Sequence, residues 1–336
     1  MGIVVRRRIK NHFQLTDRDL LFHDLWSHMN VLVTGGSGFI GRNIVKMLKE
    51  DGNAVGTYDI REKNSVADYH VMGDVRNLKM LENACKGVDY VFHLAAVTSP
   101  PEFENLTGEG YEVNVMGTYN VLAASANNNV KRVILASSSS VYGDLRETAR
   151  ESELPATYSN FYPMTKRINE MSARLFNQYD LETVSLRYFN TYGVGENSKG
   201  DYSSVIWKFI DSIRKGKKPV IFGDGTQRRD FIYVYDTAKA SVLAIKNGTP
   251  GGAYNVGTGK TTDFNTIFHI VKEEMGYQGE AEYVPNPLKS YQMFTLANIT
   301  KTREELKFET RYDIRDGVKK MIKEISERAE KNSRST

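Results

Sequence analysis

A chain of 336 residues, 40% hydrophobic and 26% charged, has the balance of a globular protein with one large domain or two modest ones. Its formal charge of +4 is not gathered into one block and gives nucleic-acid binding no electrostatic support. One cysteine and six scattered histidines argue against a disulfide framework or a zinc cage. No run approaches the roughly 18 apolar residues of a membrane span, and with Cys85 as the one cysteine a reducing, cytoplasmic setting is expected.

Residues 1–28 carry basic residues with no apolar run behind them, so they do not read as a secretory signal. Arg6 stands where a myristoylation signal requires Ser or Thr. A strand pattern begins abruptly at Met29, and 1–28 are expected to lie outside the fold. NVLVTGG then reads as a buried strand, FIGRNIVKMLKEDG as a helix closed by Gly52, and AVGTYD as the next strand. YHVMGDV, VDYVFHLAA, KRVILASS and ETVSLRYFN follow as apolar runs of strand length, separated by stretches of helix length. Strands alternating with helices imply parallel pairing, hence an α/β fold with a doubly wound parallel sheet over residues 29–190.

Past Asn190 the rhythm changes. Gly, Asn, Ser and Lys cluster in TYGVGENSKGDYSS, and shorter elements follow, which predicts a smaller and more irregular lobe over 191–330. Helices are expected near VIWKFIDSIRKG, FNTIFHIVKEEMG and DGVKKMIKEISERAEK, and FIYVYD is expected as a buried strand. KGKKP reads as a solvated helix end, and Cys85 as an ordinary helix residue.

Two stretches carry chemistry. In TGGSGFIG the glycines Gly35, Gly38 and Gly41 fall three apart between a strand and a helix. That spacing gives a tight turn, a close approach of backbone to a pyrophosphate, and close packing of helix on strand. The phosphates would meet the helix N-terminus at Phe39 and Ile40, where free N–H groups and the dipole favour anions. Asp59 ends the next strand, at the distance where an acid meets the adenosine ribose. It favours NAD over NADP, although Arg61 two residues on could pair with a 2′-phosphate. In the second stretch, YPMTK, a spacing of four sets Tyr162 and Lys166 on one helical face. A nearby ammonium is expected to lower the phenol's pKa and fit it for proton transfer. His93, after an apolar strand, is expected to pack near the cofactor rather than to react.

In this order, TGGSGFIG, Asp59, GDV with Asp74, HLAA at 93–96, EVNVMGTYNVL, SSSSVYG, YPMTK, RYFNTYG and RRDFIYVYD resemble the extended short-chain dehydrogenase/reductase family, and within it the NAD-dependent sugar-nucleotide epimerases and dehydratases. The resemblance covers about residues 29–300. It implies that Asp74 and Val75 flank the adenine, that Leu94, Ala95 and Ala96 line the cofactor, and that Asn114 supports the helix bearing the active site. Tyr162 and Lys166 are then the acid/base pair, with Lys166 also on the nicotinamide ribose, and the family's spacing selects Ser138 as the catalytic hydroxyl. Asn190 and Arg229 would contact the nucleotide part of the substrate, Arg229 at its diphosphate.

Dehydratases and related decarboxylases carry acids in the two positions after that hydroxyl, where this chain has Ser139 and Ser140. The resemblance therefore implies epimerisation, with a UDP-glucose/UDP-galactose-type 4-epimerase in front and an ADP-heptose-type 6-epimerase as the alternative. A 4,6-dehydratase and a non-enzymatic NAD-binding sensor stand further back. UDP-sugar epimerases usually carry a second phosphate-binding Arg near positions 288–291; this chain has none there, and Lys289 is the candidate substitute. No metal is implied. The helix holding Tyr162 and the one near VMGTYNVLAASA resemble those of the family's dimer interface, so a homodimer is expected.

Overall fold

The computed structural model of the protein describes residues 29–63, 65–98, 100–287 and 291–333; the expected N-terminal extension 1–28 and Lys289 lie outside them. The first half is built from β1 (Asn30–Thr34), α1 (Phe39–Glu50), β2 (Ala54–Asp59), β3 (Tyr69–Met72), α2 (Leu78–Ala84) and β4 (Tyr90–His93). Two short helices, α3 (Pro100–Asn105) and α4 (Thr107–Tyr111), lead through a π-helical turn, Glu112–Met116, into α5 (Gly117–Asn127). Then come β5 (Arg132–Ser138), a 3-10 turn at Ser139–Tyr142, α6 (Phe161–Phe176) and β6 (Glu182–Tyr188).

Seven parallel strands, these six and β11 (Gly252–Val256) from further along the chain, form one sheet in the order β11-β6-β5-β4-β1-β2-β3. Strands buried on both faces read as continuous apolar runs, and β1 shows how the two faces divide. Val31 and Val33 pack with Ile44, Val45 and Leu48 of α1, whereas Leu32 between them packs with Leu81 of α2 and with Val121 and Leu122 of α5. Period two in the strand thus supplies a core to each helical layer. Strand order reverses between β1 and β4, which opens a crevice at the carboxyl ends of both.

Beyond β6 come β7 (Asn190–Tyr192), α7 (Val205–Arg214), β8 (Val220–Phe222), β9 (Arg228–Arg229) and β10 (Phe231–Tyr233). The chain continues with α8 (Val234–Asn247), β11 (Gly252–Val256), β12 (Thr262–Asp263), α9 (Phe264–Glu274), β13 (Glu282–Val284), α10 (Thr300–Leu306) and α11 (Ile314–Ser333). Three two-stranded pieces, β7/β10, β8/β13 and β9/β12, share a second core in which Phe209, Phe231, Ile267, Phe268, Val318 and Met321 meet.

Two features differ from the sequence expectation. FIYVYD is a strand only through Tyr233; Val234 opens α8, and Asp236 in its first turn accepts the N–H groups of Arg311 and Tyr312. Ala238, Ala240, Ser241, Leu243 and Ala244 are all buried, so α8 shows no polar stripe for periodicity to find. After α8 the chain returns to the large sheet: β11 pairs with β6, and α8 packs on α1.

Candidate active site

At the end of β1 the backbone of Gly35 is left-handed (φ +70°), and a Cβ there would sit 2.7 Å from the Ala95 nitrogen. A Cβ on Gly41 would lie 2.2 Å from the Gly35 carbonyl oxygen, so helix α1 can approach the turn only as glycine. Gly38 is the extended N-cap residue of α1 and has no capping side chain, which leaves the first turn at Phe39, Ile40 and Gly41 facing the crevice with its N–H groups. Asp59 locks onto this loop: its carboxylate accepts the Ser37 N–H at 3.0 Å and the Arg61 N–H at 3.0 Å.

Leu94, Ala95 and Ala96 follow β4 on the other side of the crevice. Asp74 is clamped by Arg76 at 2.6 Å, whose hydrogen bonds hold the carboxyl below the usual carboxylate range, and Val75 packs over Gly117. Asn114 spends its amide on protein. It accepts the Val97 N–H (2.8 Å) and donates to the Val97 carbonyl (3.0 Å) and the Thr165 hydroxyl (3.3 Å), tying the β4 loop to α6. Thr118 donates its hydroxyl to the Asn114 carbonyl, so the network assigns His93 a protonated Nε2 that donates to Thr118 (2.9 Å) and a bare Nδ1 that accepts from Thr34 (2.7 Å). Burial, reinforced by the charge of Lys166, pushes this imidazole down to about 3 and keeps it neutral.

Ser138, Tyr162 and Lys166 come together where β5 ends and α6 begins. Ser138 caps the 3-10 turn, its hydroxyl accepting the Ser140 N–H at 3.1 Å. Tyr162 lies in the first turn of α6, buried against Phe103, with the Ser138 hydroxyl as its hydrogen-bond partner. One turn on, the Lys166 ammonium donates to the Ala136 carbonyl at 3.1 Å and stands 5.9 Å from the centre of the Tyr162 ring.

The electrostatics correct one expectation. Burial, not the lysine, dominates the phenol and pushes it up to about 12, with Ser138 opposing. The same burial brings Lys166 down to about 8 against the opposing charge of Glu170. The protein alone therefore holds a neutral phenol beside a weakened ammonium.

On the facing lobe, Asn190 donates to the Thr295 hydroxyl (2.9 Å) and the Asp230 carbonyl (3.3 Å). Register explains its place: Ser138 pairs with Tyr188, Asn190 follows two residues later, and Asn190 pairs with Phe231, two residues after Arg229. The buried Arg229 guanidinium lies 5.3 Å from the Tyr291 ring and 5.7 Å from Phe264. Beside it, Asp230 collects N–H groups from Thr258, Gly259 and Ala297, which fixes two loops beside the arginine.

The family model described as the NAD dependent epimerase/dehydratase family matches residues 31–257. The chain belongs to that family. A solved UDP-N-acetylglucosamine 4-epimerase from Methanobrevibacter ruminantium, in complex with UDP-N-acetylmuramic acid, is 32% identical over 90% of this chain and 99% of its own, with a TM-score of 0.84. A solved UDP-glucose 4-epimerase from Thermotoga maritima, with UDP-glucose, is 30% identical over 90% of this chain and 100% of its own, also at a TM-score of 0.84. An ADP-L-glycero-D-manno-heptose-6-epimerase from Alkalilimnicola ehrlichii is 31% identical over 88% of this chain and 98% of its own.

In this NAD-dependent epimerase/dehydratase the dinucleotide fits what the fold offers: a cradle that any Cβ at Gly35 or Gly41 would fill, and an uncapped helix start for the pyrophosphate. Among the described residues no three His, Cys, Asp or Glu side chains are grouped to hold a metal ion.

Sequence reasoning missed Gly36, whose Cβ would strike Thr57 at 2.3 Å, and Tyr291, which covers Arg229 where an arginine was sought. It also missed the buried pair Glu170 and Arg187 behind Ser138, Tyr162 and Lys166. The Gly36 neighbour was legible as part of the glycine run; the others are pairings across the fold with no local signal. A large cavity of about 640 Å³ lies behind α6, lined by Arg150, Arg167, Arg174 and Lys301, and does not reach Ser138 or Tyr162. The chemistry of the crevice, rather than cavity size, marks the site.

Proposed function

We propose that the protein is an NAD-dependent nucleotide-sugar epimerase of the UDP-glucose/UDP-galactose 4-epimerase type. The observation that carries this reading is the convergence of Ser138, Tyr162 and Lys166 beside the glycine cradle, with Ser139 and Ser140 in place of acids. Gly35, Gly38, Gly41 and Asp59 would hold the cofactor, with Leu94, Ala95 and Ala96 lining it. NAD, when bound, would supply the acceptor and donor of the C4 hydride. Tyr162, once ionised to the phenolate, would take the 4-hydroxyl proton and give it back, with Ser138 hydrogen-bonding the same oxygen. Lys166 works toward phenolate, in the same direction as a positive nicotinamide ring. Each cycle leaves protein, proton and cofactor as they began.

Asn190 and Arg229 would take the nucleotide diphosphate, the guanidinium fork suiting two phosphate oxygens. A 6-epimerase acting on an ADP-heptose is the second reading, supported by the Alkalilimnicola relative and by Tyr291, not an arginine, over Arg229. The test is NMR analysis of products from a panel of UDP-, ADP-, GDP- and dTDP-sugars. Interconversion of UDP-glucose and UDP-galactose is expected; no turnover of any UDP-hexose sinks the reading.

The partner in this reading is a second copy of the chain. Met116 and Tyr119 at α5 and Phe161, Met171, Leu175 and Tyr179 along α6 and just beyond it are exposed apolar side chains, on two helices that pack together. A cytoplasmic location goes with it, Cys85 being a buried free thiol that burial pushes up to about 11. No described helix is long and apolar enough to cross a membrane.

A further inference from the structure

Tyr162, Lys166 and Glu170 are spaced four apart and share the inward face of α6. They meet the end of β5 residue by residue: Lys166 at the Ala136 carbonyl, Glu170 at the Ser137 hydroxyl (2.6 Å), Tyr162 at the Ser138 hydroxyl. Ser137 lies in register with Arg187 on β6, and Arg187 with Asn255 on β11, so three neighbouring strands present one polar row beneath the helix.

Arg187 is only 1% exposed and Glu170 6%. The guanidinium donates twice to the Glu170 carboxylate, both at 2.8 Å, and once to the Tyr142 hydroxyl at 2.8 Å. Tyr142 in turn donates to Asn255 at 2.6 Å. A buried ion pair is costly unless every group in it is satisfied, and here each charged group is. Burial pushes the Glu170 carboxyl up, but the hydrogen bonds and charge of Arg187 outweigh it, so the group stays ionised. Among the described residues Glu170 is the one carboxylate whose charge acts on Lys166; Tyr162 shares its helix, His93 faces it as a neutral ring from β4, and β5 offers a carbonyl. Arg187 on β6 is engaged by Glu170 and Tyr142.

We propose that Glu170 is a positioning residue of this site. Through Ser137 and Arg187 it fixes the Ser138 end of β5 against the Tyr162–Lys166 face of α6, and its carboxylate is the counter-charge of the Lys166 ammonium. The assignment rests on the proposed roles of those three residues, so one of its readouts is independent of turnover.

Glu170→Gln keeps an acceptor for Ser137 while removing the charge. Acetic anhydride labels only the neutral amine, so the pH profile of Lys166 acetylation, read by peptide mass spectrometry, reports its ionisation. In Glu170→Gln the midpoint is expected to move to lower pH by about half a unit or more. The expected loss in kcat is about 10- to 100-fold, with KM changed little. If the unpaired Arg187 prevents folding, Glu170→Gln/Arg187→Gln removes both charges and should show a smaller shift in the same direction, because the lost cation offsets part of the lost anion. Ser137→Ala leaves every buried charge paired and should lose about tenfold in kcat at near wild-type Tm. A network that only held the fold together would lower Tm and leave Lys166 where it was. An unmoved midpoint in the charge variants, or wild-type kcat in Ser137→Ala, overturns the assignment. A wild type inactive on every nucleotide sugar sinks the functional reading instead, and the labelling midpoint still decides Glu170.

Discussion

Tyr162 and Lys166 sit in the same dry patch, and burial moves them in opposite directions because one is neutral and the other charged when protonated. A phenol near 12 makes a poor base by itself; in the proposed reaction the Lys166 ammonium and the positive ring of bound NAD would have to bring it down. Tyr162→Phe removes the proton acceptor while keeping the ring's packing against Phe103, so kcat should fall about a thousandfold with KM nearly unchanged; rates near wild type would refute the acid/base role. Lys166 allows a test without substrate. Its folded-state value of about 8 is below the ordinary 10.5, so folding expels a proton between those two values. Below pH 8 the ammonium is charged in both states and its burial destabilises the fold; that cost fades as pH rises through 8 toward 10.5. Lys166→Met should therefore melt above wild type at pH 7, and the gap should narrow by pH 9.5. A variant less stable than wild type at pH 7 contradicts the burial argument.

Elements explain why some of this was readable in the sequence and some was not. The glycine cradle and the Tyr162–Lys166 spacing are local: each is a strand or helix end whose chemistry is written within about eight residues. The central strands declared themselves because burial on both faces demands unbroken apolar runs, as in β1. Helix α8 did not, because small residues bury it on nearly every side and its first turn continues the apolar run of β10. The proposed substrate side draws on Asn190, Arg229, Tyr291 and Thr295, which meet across more than a hundred residues of sequence. No spacing rule could show that Tyr291 would cover Arg229. The cradle supplies a prediction at this scale. Gly41→Ala must push α1 away from Gly35, since its Cβ would overlap the carbonyl oxygen there. NAD affinity measured by titration should fall at least tenfold while far-UV circular dichroism stays native. Unchanged affinity would mean that the loop is not the pyrophosphate seat.

At the scale of the whole molecule, the helix that carries Tyr162 and Lys166 also carries an apolar face left exposed among the described residues. Its inward side holds Tyr162, Lys166 and Glu170, while Met171, Leu175 and Tyr179 on and just past its outward side are each more than half exposed. Such a contiguous apolar stripe, on two packed helices, is what a subunit interface buries. A second copy would lay α5 and α6 against their own equivalents about a twofold axis, since a twofold contact uses the same patch on both partners. Leu175→Glu/Tyr179→Glu puts two carboxylates into that contact on each side, four in all. Sedimentation velocity at micromolar concentration should show wild type as a dimer and the double variant as a monomer. The variant should also melt lower, because dimer formation stabilises the folded chain by mass action. Because these side chains point away from Ser138 and the glycine cradle, the monomer should still bind NAD. A monomeric wild type, or a double variant that remains dimeric, would show that the stripe is not the interface.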